Sequence, residues 1–214
     1  MAGKGLVPAL ALLAQLALCA TQAAEPTTPL DRYLDGLHSL RVSFSQSITD
    51  AQGHETDRSS GEFLVLRPER FRWDVRPATG GSGQLLVADG KNLWYYDRDL
   101  QQVTVKPMSA ALSATPAMLL SGGGDVRASF DVRADGKRDG LDWVRVTPRT
   151  AEADFRDALL GFSGKELRRM ILKDKLGQTA TLAFERAERN ATVSESEVSF
   201  APPPDADLIG VPAK

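Results

Sequence analysis

Cysteine and histidine are almost missing from this 214-residue sequence, which has one cysteine, Cys19, and two histidines, His38 and His54. So few thiols and imidazoles leave little from which to build a nucleophilic pair or a zinc site. His38 falls on an expected helix and His54 at an expected hairpin tip, so the two are not expected to share a site. No Gly-x-Ser-x-Gly elbow is present, and the run Gly122-Gly123-Gly124 lacks the Lys-Ser/Thr of a phosphate loop. Asp97 with Asp99 reads as turn chemistry rather than as metal ligands. Catalysis, a resident metal and a cofactor are therefore not expected. A basic excess is absent too: 26 Lys and Arg stand against 28 Asp and Glu, so no nucleic acid is expected as a partner.

Long apolar runs are absent except at the start. Lys4 is the only charge before Glu25, and Leu6 to Ala20 has the length of a signal-peptide core. Small residues at Thr21 and Ala23 place the expected cleavage after Ala23, giving a leader over 1–23 and one domain over 24–214. The alternative is a retained membrane anchor, for which the run is short. Leu18 rather than a small residue precedes Cys19, which argues against lipidation there. The expected mature chain has no cysteine, so its stability must come from a packed core.

Beyond the leader, two periods alternate. Thr28-Pro29-Leu30-Asp31 has the cap, proline and acid of a helix start, and Leu30, Tyr33, Leu34, Leu37 and Leu40 recur at helical spacing. From Val42 the period becomes two, and short strands are expected near 42–48, 61–67, 71–75, 84–87, 93–96 and 102–105. More are expected near 129–133, 142–147, 166–173, 179–185 and 195–200, with Pro202-Pro203-Pro204 ending the sheet. About 10–11 strands at hairpin spacing imply a mainly β protein, an antiparallel sheet curled or closed as a barrel.

Two segments stand out. From Pro107 to Gly124 there is no charged residue, and Leu112, Pro116, Met118, Leu119 and Leu120 lie within it. It reads either as a buried connecting helix or as a movable apolar cover over a cavity. Phe71, Trp73 and Val75 share one strand face, and Phe63 and Val65 share theirs with Arg67. Arg67 reads either as a snorkelling surface residue or as an inward cation. If inward it needs several acceptors, which the uncapped carbonyls at the end of a short lid helix would supply.

The stretches Gly61–Trp73, Leu86–Asp97, Thr115–Leu120, Leu172–Thr179 and Phe200–Pro203 resemble, in order, the periplasmic outer-membrane lipoprotein carrier (LolA) family. The resemblance implies an unclosed antiparallel β-barrel covered by an α-helical lid, with a hydrophobic cavity for the acyl chains of triacylated lipoproteins. It implies delivery from an inner-membrane ABC transporter to an outer-membrane receptor, in the periplasm of a Gram-negative bacterium, by a monomer. It assigns Arg67 as the lid latch. It matches Phe71 and Trp73 to the cavity wall, where Phe63, Val65, Val75, Leu86, Trp94 and Tyr96 are also expected. It matches Thr115–Leu120 to the lid, where Leu112, Pro116, Met118, Leu119 and Leu120 are expected. Pro203-Pro204-Asp205 departs from the family's usual glycine there. A related periplasmic lipid or glycolipid shuttle on the same scaffold is the alternative. Asn190-Ala191-Thr192 matches a glycosylation sequon, read as coincidence in a periplasmic context.

Overall fold

Acidic residues set the hairpin turns on which the sheet is built. Asp89 Oδ1 accepts from the amides of Lys91 and Asn92 at 2.8 and 2.7 Å, with Gly90 at φ 91° between the strands. Asp174 does the same for Leu176 and Gln178, both at 2.8 Å. Such short polar side chains satisfy turn amides that the strand ladder cannot reach.

The computed structural model describes residues 27–108, 117–122, 126–151, 153 and 155–213. The first strands are β1 (Ser39–Thr49), β2 (Glu55–Leu66), β3 (Arg70–Pro77), β4 (Gln84–Asp89), β5 (Asn92–Asp97) and β6 (Gln102–Pro107). After the helical segment come β7 (Phe130–Arg138), β8 (Leu141–Pro148), β9 (Phe155–Ser163), β10 (Glu166–Asp174), β11 (Thr179–Arg189) and β12 (Asp207–Ile209). They form one sheet in the order β12-β6-β5-β4-β3-β2-β1-β11-β10-β9-β8-β7. All pairings are antiparallel except β12 with β6, and the sheet ends on β12 and β7 without closing. The unclosed barrel expected from the resemblance is thus observed.

Among the described residues three short α-helices accompany it: α1 (Pro29–Leu34), α2 (Ala117–Ser121) and α3 (Val126–Ser129). Thr28 caps α1 as expected, its backbone N–H donating to Asp31 at 2.6 Å in a capping box. None of the three is long enough to be stable alone, so each depends on the face it buries.

Three expectations fail. Strand β9 is not among the expected strands, because residues 157–162 are all buried and give no alternation. Its Gly161 packs under the Trp143 ring, so the outer face is covered as well. Residues 195–198 form a 3-10 turn (Glu195–Val198) rather than a strand. The prolines do not end the sheet either, since the tail returns as β12 along β6.

The concave face carries the main core, with Leu40, Val42, Phe44, Phe63, Val65 and Phe71 at its centre. The convex face of β4–β6 carries a second cluster, Leu85, Val87, Trp94, Val103 and Val105, covered by Phe200 and Ala206. Glycine is required at position 61. A Cβ there would lie 1.9 Å from the Asp74 carbonyl oxygen and 2.7 Å from the Phe44 ring. Gly61→Ala is expected to cost about 1–3 kcal/mol through overpacking, read as a lower thermal midpoint with the strand content unchanged.

Candidate functional site

The candidate site is the concave groove between β2, β3 and β4 and the helices lying in it. Register fixes its wall. Phe63 pairs with Trp73 and Trp73 with Leu86, while Val65 pairs with Phe71 and Phe71 with Ala88. Directly paired residues share a face, so these side chains form one apolar surface. Phe63, Val65 and Phe71 are almost completely buried, and Trp73, Val75 and Leu86 pack against the same cluster half-buried. The aromatic part interlocks: Trp73 lies 5.0 Å from Phe63 and 5.5 Å from Phe44 between ring centres, the latter edge-on. The indole N–H of Trp73 is buried with no acceptor among the described residues.

Helix α2 fills this groove. All five of its residues are buried, and Met118, Leu119 and Leu120 are 7, 0 and 1 % exposed within the same cluster as the wall. Helix α1 lies beside it, burying Leu30 and Tyr33, with the Tyr33 ring 5.6 Å from that of Phe162. Burial pushes the Tyr33 hydroxyl up to about 12 against the opposing pull of Arg189. Leu112 and Pro116, the other expected lid positions, lie outside the described residues.

Trp94 and Tyr96 are not on this wall. Across the turn Leu86 pairs with Tyr95 and Val87 with Trp94, so the alternation puts Trp94 and Tyr96 on the convex face. There their rings lie 5.7 and 5.9 Å from that of Phe200, and Trp94 donates to Asp89 at 2.7 Å. Tyr95, 37 % exposed, takes the concave position instead. The signal that would have found it is the two-residue turn, which fixes Ala88 opposite Leu93.

Arg67 points into the structure at the end of β2. Its Nη1 donates to the carbonyls of Leu34 and Leu37 at 3.1 and 3.2 Å. Those carbonyls belong to the end of α1 and the loop after it, not to the lid helix expected to supply them. The end of α2 is nonetheless held close. A Cβ on Gly122 would lie 2.1 Å from Arg67 Nη2, and Glu69 N–H donates to the Ser121 carbonyl at 3.1 Å. Arg67 is thus wedged between two helix ends, where partial carbonyl charge favours a cation. Burial pulls its pKa down, yet a guanidinium stays charged.

Helix α1 is also tied at its start. Arg127 Nη2 donates to Asp31 at 2.9 Å. Burial alone would raise the Asp31 carboxyl, but hydrogen bonds from Thr28 and Arg127 hold it below the usual carboxylate range. A depressed carboxylate stabilises the fold fully above its ordinary value of 3.8, and the contribution is lost as pH falls through the lowered one. Wild type is therefore expected to exceed Asp31→Asn in thermal midpoint at neutral pH, with the gap narrowing below pH 3.8. A gap independent of pH down to acid unfolding would count against the ion pair.

Away from the helices the groove opens into a cavity of about 320 Å³ lined by Gln46, Ile48, Asp57, Ser59, Val75, Pro77, Gly83, Gln84 and Asp99. Its lining is half polar, unlike the filled part. The groove is thus apolar where α2 fills it, with Arg67 at one end and a half-polar cavity at the other.

Residues 35–201 match the family described as Outer membrane lipoprotein carrier protein LolA. The outer-membrane lipoprotein carrier protein of Dechloromonas aromatica is 37 % identical over 182 residues, covering 85 % of this chain and 86 % of its own length. That of Cupriavidus taiwanensis is 35 % identical over 212 residues, covering 98 % and 99 %. The chain belongs to the outer-membrane lipoprotein carrier family. Among solved structures, an uncharacterized conserved protein from Thermus thermophilus superposes with a TM-score of 0.51 at 18 % identity, covering 85 % of this chain and 96 % of that one. That likeness concerns the fold alone.

Proposed function

We propose that this carrier holds the acyl chains of triacylated lipoproteins in the concave groove, in the place α2 now fills. The observation that carries the reading is the plug itself: Met118, Leu119 and Leu120 buried against Phe63, Val65 and Phe71. A short apolar helix seated in an apolar trough marks a surface that must be covered whether or not cargo is present. Full burial of three such side chains contributes roughly 5–9 kcal/mol. One 16-carbon acyl chain contributes on the order of 12 kcal/mol. Cargo can therefore displace the plug, while the plug returns enough of the energy to make release feasible.

In this reading Arg67 favours the closed state, and Phe63, Val65, Phe71, Trp73, Val75 and Leu86 form the wall that meets cargo. The leader ends at Ala23 and the mature monomer works in the periplasm. It receives lipoprotein from an inner-membrane ABC transporter and passes it to an outer-membrane receptor, turning over no substrate of its own. Purification from periplasm followed by native mass spectrometry tests this. Triacylated lipoproteins bound one to one are expected. Free glycolipid as the sole cargo would overturn the lipoprotein assignment and leave a lipid shuttle.

A further inference from the structure

Arg67 is not alone in gripping the end of α1. From the opposite side of β1, Arg189 at the end of β11 donates from Nη2 to the carbonyls of Tyr33 and Asp35 at 2.8 and 3.1 Å. Its guanidinium lies 5.3 Å from the centre of the Tyr33 ring, over its face. The next residue, Asn190, donates from Nδ2 to the Gly36 carbonyl at 3.0 Å and accepts the His38 amide on Oδ1 at 2.8 Å. With Arg67 on Leu34 and Leu37, five consecutive carbonyls, from Tyr33 to Leu37, are each held by a side chain.

This density is not what a six-residue helix needs. A helix end requires its last carbonyls satisfied, and water does that where the end is exposed. Here two cations and an amide are committed instead, from strands on both sides of β1. Arg189 also keeps its Nε–H buried with no acceptor among the described residues. That donor gains a partner only when the contact opens, which offsets part of what opening loses. Such a grip is firm but releasable. The side chain of Asn190 is engaged with the backbone of residues 36, 38 and 39, which gives its position a role unrelated to the sequon.

We propose that Arg189 and Asn190 are positioning residues that form, with Arg67, a two-sided clamp on α1, and that this clamp sets the carrier's net affinity for acyl chains. The inference rests on the carrier reading above. Leu30, Tyr33 and Leu37 belong to the core cluster that includes α2, so lifting α1 exposes the same interior that acyl chains would cover. Any free energy holding α1 down opposes loading and favours release.

The test uses the mature chain and a fluorescent 16-carbon fatty acid. Arg189→Gln is expected to bind it about tenfold more tightly than wild type, from the loss of two charge-assisted hydrogen bonds. Arg67→Leu with Arg189→Gln together is expected to exceed either alone. A purely structural role would lower the thermal midpoint and leave affinity unchanged, and that result overturns the proposal. Should Arg189→Gln fail to fold, hydrogen exchange on wild type decides. Amides 35–38 are expected to exchange faster once the fatty acid is bound, and unchanged exchange overturns the clamp. If wild type binds no acyl probe at all, the carrier reading fails instead.

Discussion

Arg67→Leu is expected to load lipoprotein normally and to deliver it at least tenfold more slowly. Leucine keeps the apolar stem and removes both hydrogen bonds to Leu34 and Leu37. Bonds from a charged donor contribute about 1.5–3 kcal/mol each, and the half-buried setting places the net loss for the pair near 2–3 kcal/mol. The balance between closed and open carrier then moves roughly 30- to 150-fold toward open. Loading needs only the open groove, so it survives. Delivery needs the groove to refill with the carrier's own side chains as cargo leaves, so it suffers. Transfer of labelled lipoprotein to the receptor at the wild-type rate would remove Arg67 from the mechanism.

The second large effect concerns the plug. Leu119 is fully buried in the main cluster. Leu119→Ala removes its packing and leaves a cavity, at a cost of about 2–5 kcal/mol. For a chain of this size each kcal/mol shifts the melting midpoint by about 2–4 °C, so the empty carrier is expected to melt roughly 4–20 °C lower. The loaded carrier is expected to lose much less, because Leu119 no longer occupies the groove there. An equal loss in both forms would mean that α2 stays seated when cargo binds.

Much of the sheet was legible because its turns and alternation are local. Asp89-Gly90 and Asp174 announce hairpins in four residues, and Val42 and Phe44 alternate with serines. Strand β9 was hidden because both its faces are covered, which removes the period-two signal. The convex cluster was hidden for a different reason: Trp94 and Tyr96 are as apolar as any wall residue, and only cross-strand register separates the two faces. Residue type alone could not say which face met the cavity.

Arg67 shows the same division. An arginine ending an apolar strand face signals a cation in need of acceptors. The acceptors are backbone carbonyls, which carry no side-chain signature, and those of α1 rather than of α2 proved to be in reach. The contacts of Arg189 and Asn190 carry no local signal, because the two stand more than 150 residues from the carbonyls they hold. Only the β1–β11 pairing brings them together.

The affinity of Leu119→Ala for a triacylated lipopeptide, compared with wild type, tests most directly whether cargo replaces the plug. If α2 and acyl chains compete for the groove, weakening the plug strengthens cargo, and the variant is expected to bind at least tenfold more tightly. If acyl chains instead rest against a seated α2, the lost leucine surface weakens binding. Equal or weaker affinity in Leu119→Ala would contradict the competition on which the mechanism depends.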